Sequence, residues 1–551
     1  MSILRLLCVL AFALPLTAQV NSAPANSAGN SAQAFRISGV VVNANTREPV
    51  NQAEVQIANV EKLQTVQNFT TNTDGRFHFE NLARGKYVLV ANAPGFSRQN
   101  FNEHFQYSTA IAIGPDLQSE NLVFQLRPDA FVVGVVTDEA GEAIRNAQVM
   151  LFRQGTETGE QEIIQVAQNS TNDLGRFLFG HLVPGTYFVA VAAQPWYVQV
   201  PQPRYKIILD SDGKRRYEPM DSQQRERSPL DVAYPLTYYS GVTDSSEATP
   251  IALKPGDRAE ADVSLSPVPA VHLRIPVGDN QGRVGANLSQ NVFGRYPLPV
   301  PGYTYNPGTG ELEVNGVAPG NYSVTVNTFG KEQHSSTQEI DLTENAKMDS
   351  WQGTPPTTIN GVVSLDGQSA THGYVQIYSR VTRGNYGTQL SSKGEFKITA
   401  DDLKPGTYDV FVFGVPRAVV TGLLASGADV AGKTITLKKG TPVQMAIAMS
   451  SALGQIDGVA QLKDKPKGGA MVVLVPDDPE VNASLFRRDQ SDSDGTFTLR
   501  DVVPGKYTVL AIANGWDLEW DKASVLKPYM TLGQKLEVGP KGKYQVKVPI
   551  Q

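Results

Sequence analysis

Five times along the chain an Asx-Gly turn, or its remnant, is followed by an aromatic or apolar residue, then by a corner glycine, preceded by Pro in four copies, and a tyrosine. The clearest copy reads Asp494-Gly495-Thr496-Phe497, then Val502-Val503-Pro504-Gly505-Lys506-Tyr507. Earlier copies carry Asp74-Gly75-Arg76-Phe77 with Gly85 and Tyr87, and Gly175-Arg176-Phe177 with Pro184, Gly185 and Tyr187. Weaker ones have Leu312 with Pro319-Gly320 and Tyr322, and Phe396 with Pro405-Gly406 and Tyr408. Asx-Gly is turn chemistry, because the side chain caps its own backbone and Gly accepts positive φ at little cost. The Pro-Gly pair predicts a second tight turn, with Pro presetting φ and Gly in the left-handed position. Tyr187, Val189 and Val191 then share one strand face, and Phe188 and Ala190 the other. A tyrosine just past such a corner predicts a ring in the core and a hydroxyl bonded to backbone a few residues upstream, a β-sandwich device.

The corner glycines stand at 85, 185, 320, 406 and 505, roughly a hundred residues apart. That period is a domain, not a solenoid repeat. A chain of 551 residues also exceeds what one core serves. Val, Thr and Tyr recur in short runs, and no amphipathic helix is expected beyond the first twenty residues. The fold class expected is all-β: tandem seven-stranded β-sandwiches of prealbumin-like or Ig-like type.

Residues 1–18 read as a signal peptide, with Arg5 before an apolar run and Leu16-Thr17-Ala18 as cleavage site. The lone cysteine, Cys8, lies inside it, so the mature chain is expected to have neither disulfide nor thiol metal site. Residues 19–34, rich in Asn, Ser and Ala, read as a disordered leader. The sandwiches are placed at 35–127, 128–267 with an insertion over 194–234, 268–355, 356–451 and 452–551. The third is degenerate: its opening Val271-His272-Leu273-Arg274-Ile275 lacks the strand glycine of Gly39-Val40-Val41 and Gly134-Val135-Val136. In the insertion, Asp210-Ser211-Asp212-Gly213 predicts a hairpin. No later stretch is apolar enough for a membrane helix. The formal net charge of −6, with no basic face, excludes nucleic acid as a partner class.

The Gly-Val-Val opening, Asp-Gly-Arg-Phe and Leu-x-Pro-Gly-x-Tyr resemble the carboxypeptidase regulatory-like domain and, more loosely, Cna B-type repeats. The resemblance implies transthyretin-like sandwiches, and the whole layout is similar to exported bacterial multi-domain proteins. It does not imply peptidase activity, since no catalytic domain accompanies the sandwiches. The six histidines form no His-Glu-x-x-His pattern. Neither a Gly-x-Ser-x-Gly elbow nor a phosphate-cradling loop is present. The Asp-rich turns, such as Asp492-Ser493-Asp494-Gly495, lack the spaced Glu of an EF-hand and read as hairpin turns. Cna B-type repeats often carry a Lys–Asn crosslink, but Arg36, Asp129 and Asn360 stand at the openings here. No enzyme, cofactor or metal is expected.

The candidate binding residues are aromatic. Phe96, Trp196 and Trp516 each follow the phrase tyrosine by the same interval, at a strand end after Gly or Pro. A shared position argues that such a ring plugs the open end of its sandwich. Tyr197 and Trp520 are additions to that pattern. Exposed rings there would stack on sugars, so Trp196, Tyr197, Trp516 and Trp520 are the candidate carbohydrate-binding residues. The function expected is surface interaction, adhesion or scaffolding by an exported, elongated string of sandwiches without a deep polar cleft. Carbohydrate binding is the alternative, and glycans or other surface proteins are the expected partners.

Overall fold

The structure is a computed structural model. It describes residues 34–551 except 63, 158, 160, 200–204, 220–227, 278–283, 301, 329–334, 349–356, 380–383, 401–402, 404–405, 439–440 and 481. The proposed signal peptide and nearly all of the leader lie outside the described residues.

The first sandwich shows how the phrase works. Phe35–Asn43 pairs antiparallel with Arg76–Leu82, the strand opened by the Asx-Gly turn, and parallel with Leu122–Leu126. The facing sheet joins Gln64–Thr70, Glu54–Asn59 and Gly85–Asn92, with Ile111–Ile113 on the far side of the last. Alternation sends Ile37, Val55, Ile57, Phe77, Phe79, Tyr87 and Leu89 into one core. In every sandwich the opening strand runs parallel to a closing one: Ala130–Thr137 with Arg258–Glu260, Val271–Pro276 with Ala346–Lys347, Thr357–Leu365 with Val443–Ser450, and Gly454–Leu462 with Lys543–Pro549. Five separate cores result.

The opening glycine and the phrase phenylalanine are one device. Gly39 lies opposite Phe77, Gly134 opposite Phe177, Gly361 opposite Phe396 and Gly458 opposite Phe497. A Cβ on Gly39 would meet the Phe77 ring at 2.8 Å and the Leu122 carbonyl oxygen at 2.3 Å. The absent side chain lets the ring and the parallel closing strand come close. In the third sandwich Ile275 faces Leu312 instead, so a smaller apolar group replaces the ring and a side chain replaces the hydrogen.

The tyrosine corner forms with one geometry in four of the sandwiches. Tyr87, Tyr187, Tyr322 and Tyr507 donate to the carbonyls of Ala83 (3.0 Å), Val183 (2.6 Å), Ala318 (2.6 Å) and Val503 (2.8 Å). Their rings are buried, as is that of Tyr408. The Asx-Gly glycines do take positive φ, from +67° to +77°. The expectation for the corner glycine is met in part: Gly85, Gly185 and Gly406 sit at φ +155°, +159° and +143°, opening the next strand, whereas Gly320 and Gly505 have no positive φ. The left-handed residue comes four places earlier, at Asn81, His181 and Asp501, in a β-bulge of the phrase strand.

The insertion hairpin pairs Tyr205–Leu209 with Arg215–Pro219. The sandwiches are not an elongated string. The second and third share a core in which Met150, Phe152 and Tyr238 meet Val292, Tyr296 and Leu298. His272, on the third, lies 2.7 Å from Asp231 and 2.9 Å from Asn315. The fifth folds back on the first and second. No helix among the described residues is long and apolar enough to cross a membrane.

Candidate functional site

The four candidate aromatics fall into two places. Trp516 and Trp520 lie in a seam between the fifth sandwich and the first two, whereas Trp196 and Tyr197 lie at the tip of the second.

The seam begins with a strand that has no polar face. Met471–Pro476 is buried on both sides. Val472 and Leu474 face the core of the fifth sandwich. Met471, Val473 and Val475 face a second cluster with Leu510, Ile512, Trp516 and Leu526, closed by Phe105 and Tyr107 of the first sandwich. Trp516 is 5% exposed, and His104 stacks on it at 4.7 Å with planes 7° apart. The Arg488 guanidinium sits among Trp520 (4.6 Å), Tyr107 (5.1 Å), Trp516 (5.5 Å) and Phe105 (5.7 Å), a cation held by ring faces from two sandwiches. The expectation that Trp516 and Trp520 are exposed, coplanar sugar platforms is therefore corrected. Trp516 is buried, and Trp520 is half-buried with its Nε1 donating to the Thr156 carbonyl at 3.2 Å.

Polar groups surround this apolar seam. Lys86 Nζ reaches Asp492 Oδ2 at 2.5 Å and Thr496 Oγ1 at 2.6 Å. Asp492 Oδ1 accepts from the Ala110 amide (3.0 Å), and the Ser493 amide donates to the Ala110 carbonyl (2.9 Å). Gln490 donates to the Asn102 carbonyl (2.7 Å) and Thr109 Oγ1 (2.8 Å), with its Oε1 3.1 Å from His104 Nδ1. Glu519 accepts from the Gln161 amide of the second sandwich at 3.0 Å. Burial lifts the Asp492 carboxyl above its ordinary value against the pull of Lys86. Burial also holds the His104 imidazole low, against its hydrogen bond to Gln490 and in the same sense as nearby Arg127. The Asp492-Ser493-Asp494-Gly495 turn thus serves as a docking loop, and Asp494 caps the Thr496 amide at 3.1 Å. Among the described residues no cluster of three His, Cys, Asp or Glu side chains is arranged to hold a metal.

The second place is exposed. Trp196 is 86% accessible, and its ring meets that of Tyr197 edge to face at 5.7 Å and 88°. Tyr197 donates to Glu139 Oε1 at 2.5 Å, and Tyr234 donates to Oε2 at 2.9 Å. Phe96, which shares the position of Trp196 and Trp516, packs half-buried on its own core. One sequence position therefore has three outcomes: plug, seam and exposed ring. Sequence reasoning missed His104, Arg488, Glu139 and Tyr234, because their partners lie tens to hundreds of residues away. An open groove of about 1020 Å³ crosses the outer sheet face of the fourth sandwich, past Val362, Leu424 and Ala446.

Residues 36–126 and 132–207 match the carboxypeptidase regulatory-like domain. No curated protein matches the chain. Among solved structures, the Bacillus anthracis TIE protein is similar at 10% identity over 95% of this chain and 76% of that one, with a TM-score of 0.17. A streptococcal ancillary pilin is similar at 12% identity over 51% and 99%, TM-score 0.20. A shaft pilin of Lactobacillus rhamnosus GG is similar at 10% identity over 43% and 98%, TM-score 0.20. These likenesses are too slight to speak to function.

Proposed function

We propose that the protein is an exported, non-enzymatic scaffold of β-sandwiches that works by presenting surfaces to partners outside the cytoplasm. The observation that carries this reading is the seam. Trp516, Trp520, Arg488, Asp492 and His104 all hold sandwich to sandwich. Such interlocking fixes the relative positions of exposed loops, which is what a presenting scaffold requires. The experiment is cell fractionation with protease shaving of intact cells expressing the tagged full-length chain. The expected result is a processed protein outside the inner membrane. An unprocessed protein confined to the cytoplasm would overturn the proposal.

A second reading, carbohydrate binding, has the exposure of Trp196 in its favour and rests on Trp196 and Tyr197 alone. A glycan array with the mature chain and its Trp196→Ala variant tests it. Retention that disappears with the ring supports it, and retention indifferent to the ring removes it.

A further inference from the structure

The corner formed by Trp196, Tyr197, Glu139 and Tyr234 has a donor–acceptor balance that selects a ligand class. Glu139 follows the Ala130–Thr137 strand in a turn fixed by Asp138, whose Oδ1 accepts from the Ala140 amide (2.9 Å) and the Glu142 amide (2.8 Å). The turn directs the carboxylate between two phenols, each donating to a different oxygen. Tyr234 belongs to the core of the second sandwich and anchors the group from below. Burial pulls the Glu139 carboxyl upward, but the bonds from Tyr197, its own backbone and Tyr234 outweigh it and hold the carboxyl low. Burial and the adjacent carboxylate raise both phenols, so they keep their protons and aim them at Glu139.

The phenol protons are therefore already committed. The four side chains still offer the remaining lone pairs of Glu139, those of the Tyr197 oxygen, and the exposed face of Trp196. These are acceptors, a negative charge and an electron-rich ring. Beyond them, the Trp196 indole N–H is the one donor the four hold. A neutral sugar brings acceptors and donors in similar number, and most of its acceptors would find no partner here. An alkylammonium or guanidinium brings donors only, carries the opposite charge and attracts the ring face.

We infer that Trp196, Tyr197, Glu139 and Tyr234 form a receptor corner for an organic cation, namely an arginine or lysine side chain on a partner protein. This rests on the reading of the chain as a presenting scaffold, and names the chemistry of what one of its surfaces takes. Trp196 supplies the stacking face, Glu139 the counter-charge, and Tyr197 and Tyr234 hold Glu139 in place.

The test is titration of the mature full-length chain with N-acetyl-arginine amide, N-acetyl-lysine amide, neutral N-acetyl-citrulline amide and cello-oligosaccharide. Binding is followed by calorimetry and tryptophan fluorescence. A cationic probe is expected to bind at least roughly tenfold more tightly than citrulline, more weakly as salt rises, and to lose that advantage in Glu139→Gln. Trp196→Ala, at an exposed position that leaves the core intact, is expected to abolish the fluorescence response. Equal binding of citrulline, cation binding indifferent to both variants, or binding of the oligosaccharide alone would each overturn the inference. Fractionation separates this from the broader reading: an exported protein that ignores the cationic probes defeats the cation site only.

Discussion

At the scale of the residue, the phrase tyrosine joins sequence to fold. Its ring fills a core while its hydroxyl satisfies a carbonyl at the corner, four residues back. Tyr507→Phe keeps the ring and leaves the Val503 carbonyl without its donor, an expected loss of about 1–2 kcal/mol. Amide hydrogen exchange should show faster local opening of Gly505–Ile512, with the other four sandwiches unchanged. Unaltered protection would mean that the bond contributes nothing. The tyrosine was legible because all five copies keep its distance from the corner glycine. The left-handed residue of the corner was not, since Asn81, His181 and Asp501 share no identity. What they share is a bulge position, and bulges leave no periodic mark in a sequence.

At the scale of the element, two strands carry uninterrupted apolar runs in place of alternation, and Gly505–Ile512 is likewise buried along most of its length. Val149-Met150-Leu151-Phe152 and Met471 through Val475 are apolar without interruption, and each is buried on both faces. That signal was present in the sequence, since a doubly buried strand reads as a continuous apolar run. What covers the second face was not legible. The ring above Met471–Pro476 stacks on His104, which arrives from a sandwich at the other end of the chain. The loop carrying His104 adds a pH dependence. A neutral imidazole packed on Trp516 has its folded pKa below the ordinary 6.5, so the unfolded or undocked chain binds the proton more readily. Docking is then undiminished above about pH 6.5 and weakens as pH falls from there toward the lowered value. Asp492, whose carboxyl is raised, acts in the opposite sense, but in the window just above the usual carboxylate range. Tryptophan emission should shift to the red on acidification from pH 7.5 to 5.5, and His104→Gln should flatten the response. An identical shift in that variant would assign the effect to another group.

At the scale of the whole molecule, the sandwich at one end meets the sandwich at the other. Local patterns produced the domains, but nothing in a roughly hundred-residue repeat says whether its copies extend or close. Closure depends on contacts such as Lys86 with Asp492, whose charges sit 35% and 18% exposed in the seam. Lys86→Glu would bring two carboxylates together beside a carboxyl that burial already disfavours as an anion, and the seam should open. Asp492→Lys alone should open it as well, by facing two ammonium groups. The double exchange restores opposite charges across the same gap, so it should return most of the closure even though the Ala110 amide loses its acceptor. Small-angle scattering at low salt reads this directly: a larger radius of gyration in each single variant and a near-native one in the double. If both single variants scatter like the unmodified protein, the ends are held by the seam's other contacts, the apolar ones of Trp516, Phe105 and Tyr107 and the Gln490 hydrogen bonds, and the ion pair does not control closure.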